Sequence, residues 1–174
     1  KIACPAGTYC PRDGHWDPVP CPPGRFSSMV AIAKCTTCPK GYICPGFGRV
    51  DPAICPPGYV CCKDNLKAPN HRCPAGFYCP NGTLTADPFR NDTFLRPYPC
   101  RPGTYCLTGV GFSQVVAGDF SYAQYCTEGF FCESASASPR GNGLCPKGFV
   151  CPLGTAIPKP APKGYYAELE GTIQ

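Results

Sequence analysis

Of the 174 residues, 17 are cysteine, and their spacing is regular. The phrase Cys-x-x-Gly-x-x-Cys starts at Cys4, Cys38, Cys55, Cys73, Cys100, Cys126 and Cys145, and it uses 14 of the 17. Thiols at fixed spacing support three kinds of chemistry: disulfide formation, metal ligation and dithiol redox exchange. Cys35-x-x-Cys38 has the bare spacing of a zinc knuckle or a redox pair, and Cys61, Cys62, His71 and Cys73 can be drawn as four metal ligands. No βαβ pattern surrounds Cys35 and Cys38, however, and the seven-residue phrase is wider than the Cys-x-x-Cys of a redox enzyme. Cysteine at this density is the mark of a disulfide scaffold in an oxidising compartment. No metal and no cofactor is expected.

Other chemistry has little to draw on. His15 and His71 are the only histidines, and Ser134, Ser136 and Ser138 sit in a Ser/Ala stretch that reads as a loop. No nucleophile elbow, zinc-protease or phosphate-loop motif occurs. Asp51, Asp64, Asp87, Asp92 and Asp119 are scattered, whereas a calcium site needs carboxylates gathered in one loop. The chain is not expected to be an enzyme.

The residues that position the cysteines are turn formers. Glycine holds the fourth place of every phrase, at Gly7, Gly41, Gly58, Gly76, Gly103, Gly129 and Gly148, which implies a positive-φ turn or a backbone packed too closely for a Cβ. A proline stands one or two places before it in all copies but CTEGFFC. The pair before the second cysteine, such as Tyr42-Ile43 or Phe77-Tyr78, is mostly aromatic or β-branched and reads as a short extended arm. A variant unit starts with the same turn at Cys21, lacks the second cysteine at the usual distance and closes at Cys35.

One pairing closes each phrase on itself, Cys4–Cys10, Cys38–Cys44, Cys55–Cys61, Cys73–Cys79, Cys100–Cys106, Cys126–Cys132 and Cys145–Cys151, with Cys21–Cys35 as the eighth bridge and Cys62 left over. Pairing between successive phrases is the alternative, since connectivity does not follow from spacing. The odd number of cysteines implies a free thiol or a link to another chain or to further sequence.

The fold class expected is small and disulfide-rich, an elongated tandem array of short β-hairpin and turn units with very little helix. The 24 prolines and 20 glycines disfavour helices and long strands. The best local helix candidate is SSMVAIAK, residues 27–34. Each unit is too small for a core of its own, so cross-links must supply stability. Closing a seven-residue loop contributes about 2 kcal/mol in the chain-entropy picture. The organisation expected is cysteine-rich repeats over 1–62, including the variant unit 21–38; a repeat with a long connector over 63–99; a second over 100–125; repeats and a Pro-rich linker over 126–160; and over 161–174 the start of a further unit or a tail.

The formal charge of +5 is modest and the basic residues are scattered, so nucleic acid is not an expected partner. No apolar stretch is long enough for a membrane span. The chain is expected to be a piece of a longer exported protein whose export signal lies elsewhere, placing it outside the cell or at its surface.

CPAGTYCP, CPPGRFSSMVAIAKCTTCPKGYIC and CPAGFYCPNGT resemble the cysteine-rich repeats called ephrin-receptor-like modules. The resemblance runs from Cys4 to about Gly154, and the long connectors before Cys100 and Cys126 depart from the compact spacing. It implies a tandem module of a large extracellular or surface protein, with a spacer, stalk or assembly role and no catalytic set.

The function expected is therefore a structural segment of a secreted or surface glycoprotein, a stalk, coat or filament building block. The alternative is an extracellular ligand- or receptor-binding or adhesion module. Partners expected are other protein chains, copies of itself among them, and N-linked glycans at the sequons Asn81-Gly82-Thr83 and Asn91-Asp92-Thr93. Contact candidates are Trp16, Phe47, Phe89, Phe94, Tyr98, Phe112, Phe120, Tyr122 and Tyr125. Packing against disulfides inside the units is the competing role for these rings. A binding module should carry one exposed aromatic patch on one unit.

Overall fold

A computed structural model describes residues 2–14, 17–90, 95–112 and 123–173. Among them there is no helix, and every strand but one is two residues long. The molecule is an elongated tandem array of small antiparallel hairpins.

The hairpins follow from the phrase. Its glycine turns the chain at φ near +80°, as at Gly7, Gly41 and Gly58. The two residues after the glycine then run extended. They pair with the two residues that precede the first cysteine of the next unit: Tyr42 with Ile54 and Ile43 with Ala53, Tyr59 with Arg72 and Val60 with His71. This register is kept from Thr8–Tyr9 against Val19–Pro20 to Phe149–Val150 against Lys159–Pro160. It is kept also where long connectors intervene, since Tyr78 still meets Tyr98 and Thr104 still meets Tyr125. Longer loops are tolerated because closure entropy grows only slowly with length.

Units can be numbered by their phrases, the first at Cys4, the second at Cys21 and the eighth at Cys145. Each is tied to the next by the same four backbone hydrogen bonds. At the junction of units three and four, the Gly41 N–H donates to the Cys61 carbonyl and the Cys55 N–H to the Gly41 carbonyl. The Asn65 N–H donates to the Cys38 carbonyl, and the Cys44 N–H to the Leu66 carbonyl. The same set recurs at every junction, down to Gly148 N–H to Ala167 O, Ala161 N–H to Gly148 O, Gly171 N–H to Cys145 O and Cys151 N–H to Thr172 O. The third of these donors is always a residue with positive φ: Ala31, Gly48, Asn65, Gly82, Gly109, Ala135, Gly154 and Gly171. A second file of left-handed turns thus accompanies the phrase glycines.

The two files meet. A Cβ on Gly7 would be driven into the Gly48 carbonyl oxygen, one on Gly58 into that of Gly109 and one on Gly76 into that of Ala135. Each phrase glycine from the first unit to the seventh therefore faces the backbone two units further on. Both sequence-level reasons for glycine hold at once, the positive φ and the lack of room. The array is a quasi-one-dimensional stack in which a unit bonds its neighbour and touches the next but one.

The interior is a file of cystines. From Cys21 to Cys151 every disulfide-bonded cysteine is at most 4% exposed, and Val60, Thr83 and Pro97 are wholly buried with them. Residues 27–34 are not helical: Ala31 turns at φ 57°, its N–H bonds the Cys4 carbonyl, and the Ile32 carbonyl accepts from Cys10. Two turns of helix are marginal in isolation, and the junction bonds claim this backbone first.

Residues 161–173 trace the same path without a cystine. Ala161 and Ala167 stand where the two cysteines would be, Gly164 has φ 88°, and Gly171 supplies the second turn. They form a ninth unit. Ser27 likewise stands in the second-cysteine place of unit two; it is 3% exposed and its hydroxyl donates to the Met29 carbonyl.

Candidate functional site

Eight disulfides join Cys4–Cys10, Cys21–Cys35, Cys38–Cys44, Cys55–Cys61, Cys73–Cys79, Cys100–Cys106, Cys126–Cys132 and Cys145–Cys151. Cα separations within the short loops lie between 5.7 and 6.3 Å, inside the range a cystine accepts. Cys35 and Cys38 belong to different bridges and make no dithiol pair with each other. Cys61 and Cys73 are likewise taken by Cys55 and Cys79, so the four-ligand drawing with Cys62 and His71 has lost two of its thiols. Among the described residues no group of three His, Cys, Asp or Glu side chains is placed to hold a metal.

Cys62 carries the free thiol and is half-buried. It follows the second cysteine of unit four and is clamped by Asn70. The Asn70 Oδ1 accepts the Cys62 N–H at 3.2 Å, and its Nδ2 donates to the Cys62 Sγ at 3.1 Å. Unit seven repeats the clamp with other chemistry: Asn142 Oδ1 accepts the Glu133 N–H at 2.8 Å and Nδ2 donates to the Glu133 carboxylate at 3.2 Å. In both cases the asparagine lies three residues before the next first cysteine, a relation the sequence reading missed. The repeated Asn at that offset was its only trace.

The first sequon lies within the second file of turns. Gly82 is the positive-φ residue of unit five, Asn81 is half-buried, and the wholly buried Thr83 donates its hydroxyl to the Pro80 carbonyl. Thr155 and Ser136 make the same bond in other units, so the threonine of this sequon also has a role in the turn. Asn91 lies outside the described residues.

Among the described residues the aromatic candidates are not gathered into one site. Phe47 is 70% exposed on unit three and Tyr125 is 68% exposed before unit seven. Phe89 is 81% exposed on the first long connector, its ring edge-on to Phe77. Tyr98 stacks on Tyr78 with ring centres 5.6 Å apart, a cross-strand pair inside a hairpin. Phe112 contributes backbone to a parallel pairing with Pro80. Trp16, Phe94, Phe120 and Tyr122 lie outside the described residues. The most exposed tyrosines among the described residues, Tyr165 and Tyr166, are not among these candidates, because the unit that carries them has no cysteines to announce it. They line an apolar hollow with Val150, Ala161 and Pro162.

Comparison with known proteins finds no matching family model and no matching curated sequence. The chain is a small cysteine-rich module of tandem, disulfide-stabilised β-hairpin repeats. Its thiol chemistry is spent on bridges, and no described helix is long and apolar enough to cross a membrane. What the described residues present outward is scattered aromatic rings and one half-buried thiol.

Proposed function

We propose that this chain is a rigid structural segment of a secreted or surface glycoprotein, a spacer in a stalk, coat or filament. The observation that carries this reading is the junction: the same four backbone bonds join every pair of neighbouring units. At about 1 kcal/mol net for each bond, bending one junction open costs about 4 kcal/mol before any packing is lost. Contact between alternate units adds a second restraint on bending. The distribution of exposed rings over several units supports a spacer better than a receptor-binding module, which would concentrate them. Disulfide density supports an oxidising, extracellular setting. Under this reading Asn81 and Asn91 are the glycan acceptors, Cys62 is a thiol or link at the surface, and kinship with ephrin-receptor-like repeats is part of the proposal.

Small-angle X-ray scattering of the dilute, oxidised chain tests the reading. A stiff rod with constant cross-section is expected. The profile of a flexible string of beads would overturn it.

A further inference from the structure

We propose that unit two, with the edge of unit one, forms a binding site for an acidic sugar, a saccharide ring that bears a carboxylate or a sulfate. The site goes beyond the spacer role and does not depend on it.

Unit two breaks the repeat plan in three places, and the departures bear on one another. Ser27 stands in the second-cysteine place, so the bridge from Cys21 closes at Cys35, 14 residues on. That closure brings Lys34 next to the cystine. The first residue after the phrase glycine is an aromatic ring or a threonine in the other seven bridged units, Tyr42 and Phe149 among them, whereas here it is Arg25. Arg25, Lys34 and Cys35 line one hollow of about 180 Å³ together with Pro22 and, from unit one, Tyr9. Natural sequences depart from their own local rules chiefly at functional sites.

The charge in the hollow has one sign. Arg25 is half-buried, and its Nη1 donates to the carbonyl of the buried Cys35 at 3.2 Å. This bond fixes the guanidinium at the wall and leaves most of its donor fork unspent. Lys34 is exposed beside it. Among the described residues no carboxylate lines the hollow, and neither cation forms an ion pair. Two cations at one hollow without a counter-charge repel each other, and a bound oxyanion turns that cost into charge-assisted hydrogen bonds. The planar fork of arginine fits carboxylate and sulfate alike.

Size and lining name the rest of the ligand. Sites for drug-sized molecules span roughly 300–1,000 Å³, so this hollow takes one ring and its charged group. Tyr9 and Pro22 are half-buried and give the hollow an apolar wall. A sugar ring can lay its C–H face on that wall, and the tyrosine ring also brings a hydroxyl that suits the sugar's own.

NMR titration of the oxidised 174-residue chain with glucuronate tests the proposal, with glucose, acetate and inorganic sulfate as the other arms. Glucuronate should shift the signals of Tyr9, Arg25 and Lys34 to saturation, with a dissociation constant on the order of 1 mM for so small a ligand. Glucose should produce no saturable shift, and sulfate should displace glucuronate. Acetate, which has the charge without the ring, should bind about tenfold more weakly. Arg25→Gln should weaken glucuronate binding about tenfold, and Lys34→Gln about threefold. Lys147→Gln removes the same charge from an exposed place in unit eight and should change nothing. An intact mass with eight bridges checks the fold of Arg25→Gln, and Lys34 is exposed, so its variant keeps the fold. The proposal is overturned by the absence of a saturable shift, by glucose or acetate binding as tightly as glucuronate, or by sulfate failing to compete. Equal weakening by all three variants overturns it as well, since net charge alone would then account for the binding.

Discussion

Units eight and nine are neighbours built on one plan, and only one of them has a cystine. Cys145–Cys151 closes unit eight; Ala161 and Ala167 stand in the corresponding places of unit nine. The Gly129 N–H reaches Cys151 in the one case and the Gly148 N–H reaches Ala167 in the other, at 2.9 and 2.8 Å. The path of the chain therefore does not depend on the cross-link. Glycine turns and junction bonds specify it, and the disulfide narrows the unfolded ensemble around a path that is already set. Unit two makes the same point: Ser27 fills a cysteine place, Cys21 bridges to Cys35, and the four bonds to each neighbour are unchanged.

If the glycines set the path, they should be the most sensitive positions, and space should decide by how much. Gly58 and Gly148 share a conformation, φ 79° and 83°. Gly58 faces the Gly109 carbonyl, and Gly148 faces open space. Gly148→Ala should cost about 1 kcal/mol, the strain of a left-handed L-residue. Gly58→Ala adds overpacking against backbone that cannot give way, for about 3 kcal/mol in all. Amide hydrogen exchange at Cys73, Cys79 and Gly109 is the readout for Gly58, and at Ala161 for Gly148. A local measurement is needed because a repeat array does not unfold as a single unit. Equal costs at the two sites would mean that contact between alternate units carries no energy.

The phrase was legible in the sequence because cysteine and glycine are the residue types for which chemistry leaves fewest substitutes. Its repetition gave away the hairpin array and the scarcity of helix. The second file of turns was not legible. Its positive-φ places hold Ala31, Asn65 and Ala135 beside glycines, and they follow the second cysteine place by three residues in some units and four in others. Junction bonds impose that conformation from a neighbouring unit, so local propensity has little to say about it. The same tertiary demand displaces the helical pattern of residues 27–34. Unit nine shows in the sequence only as a Pro-x-Gly turn before Tyr165, with no cysteine to mark its tyrosines as part of a repeat.

Exchanging the cysteines between units eight and nine sharpens the comparison at a smaller scale. C145A/C151A should remove about 2 kcal/mol of local stability, roughly a thirtyfold drop in protection at the Gly148 and Cys145 amides, while those amides stay protected above the unfolded rate. Conversely, A161C/A167C should form a ninth bridge, seen in the intact mass as the loss of two hydrogens, and raise protection of the Gly171 amide by a similar factor. Complete loss of protection across units seven to nine in the first variant would show that the cystine, and not the ladder, specifies the path.

The smallest effect expected concerns the two asparagine clamps, where one geometry serves two kinds of side chain. Asn142 holds the Glu133 backbone and carboxylate, and Asn70 holds the Cys62 backbone and thiol. Either asparagine changed to alanine removes a hydrogen bond to a backbone N–H, about 1 kcal/mol of local stability. Only Asn70→Ala also uncovers a sulfur. Alkylation of Cys62 in the oxidised chain should then speed up by about fivefold, the factor that corresponds to that 1 kcal/mol. Asn142→Ala should leave the alkylation rate unchanged, because its clamp lies in a different unit and holds no sulfur. If both variants accelerate alkylation alike, local opening of the array governs access to the thiol. An effect confined to Asn70→Ala means that this side chain shields it, and that the unit holds its odd cysteine in reserve by the same device that another unit uses to fix a carboxylate.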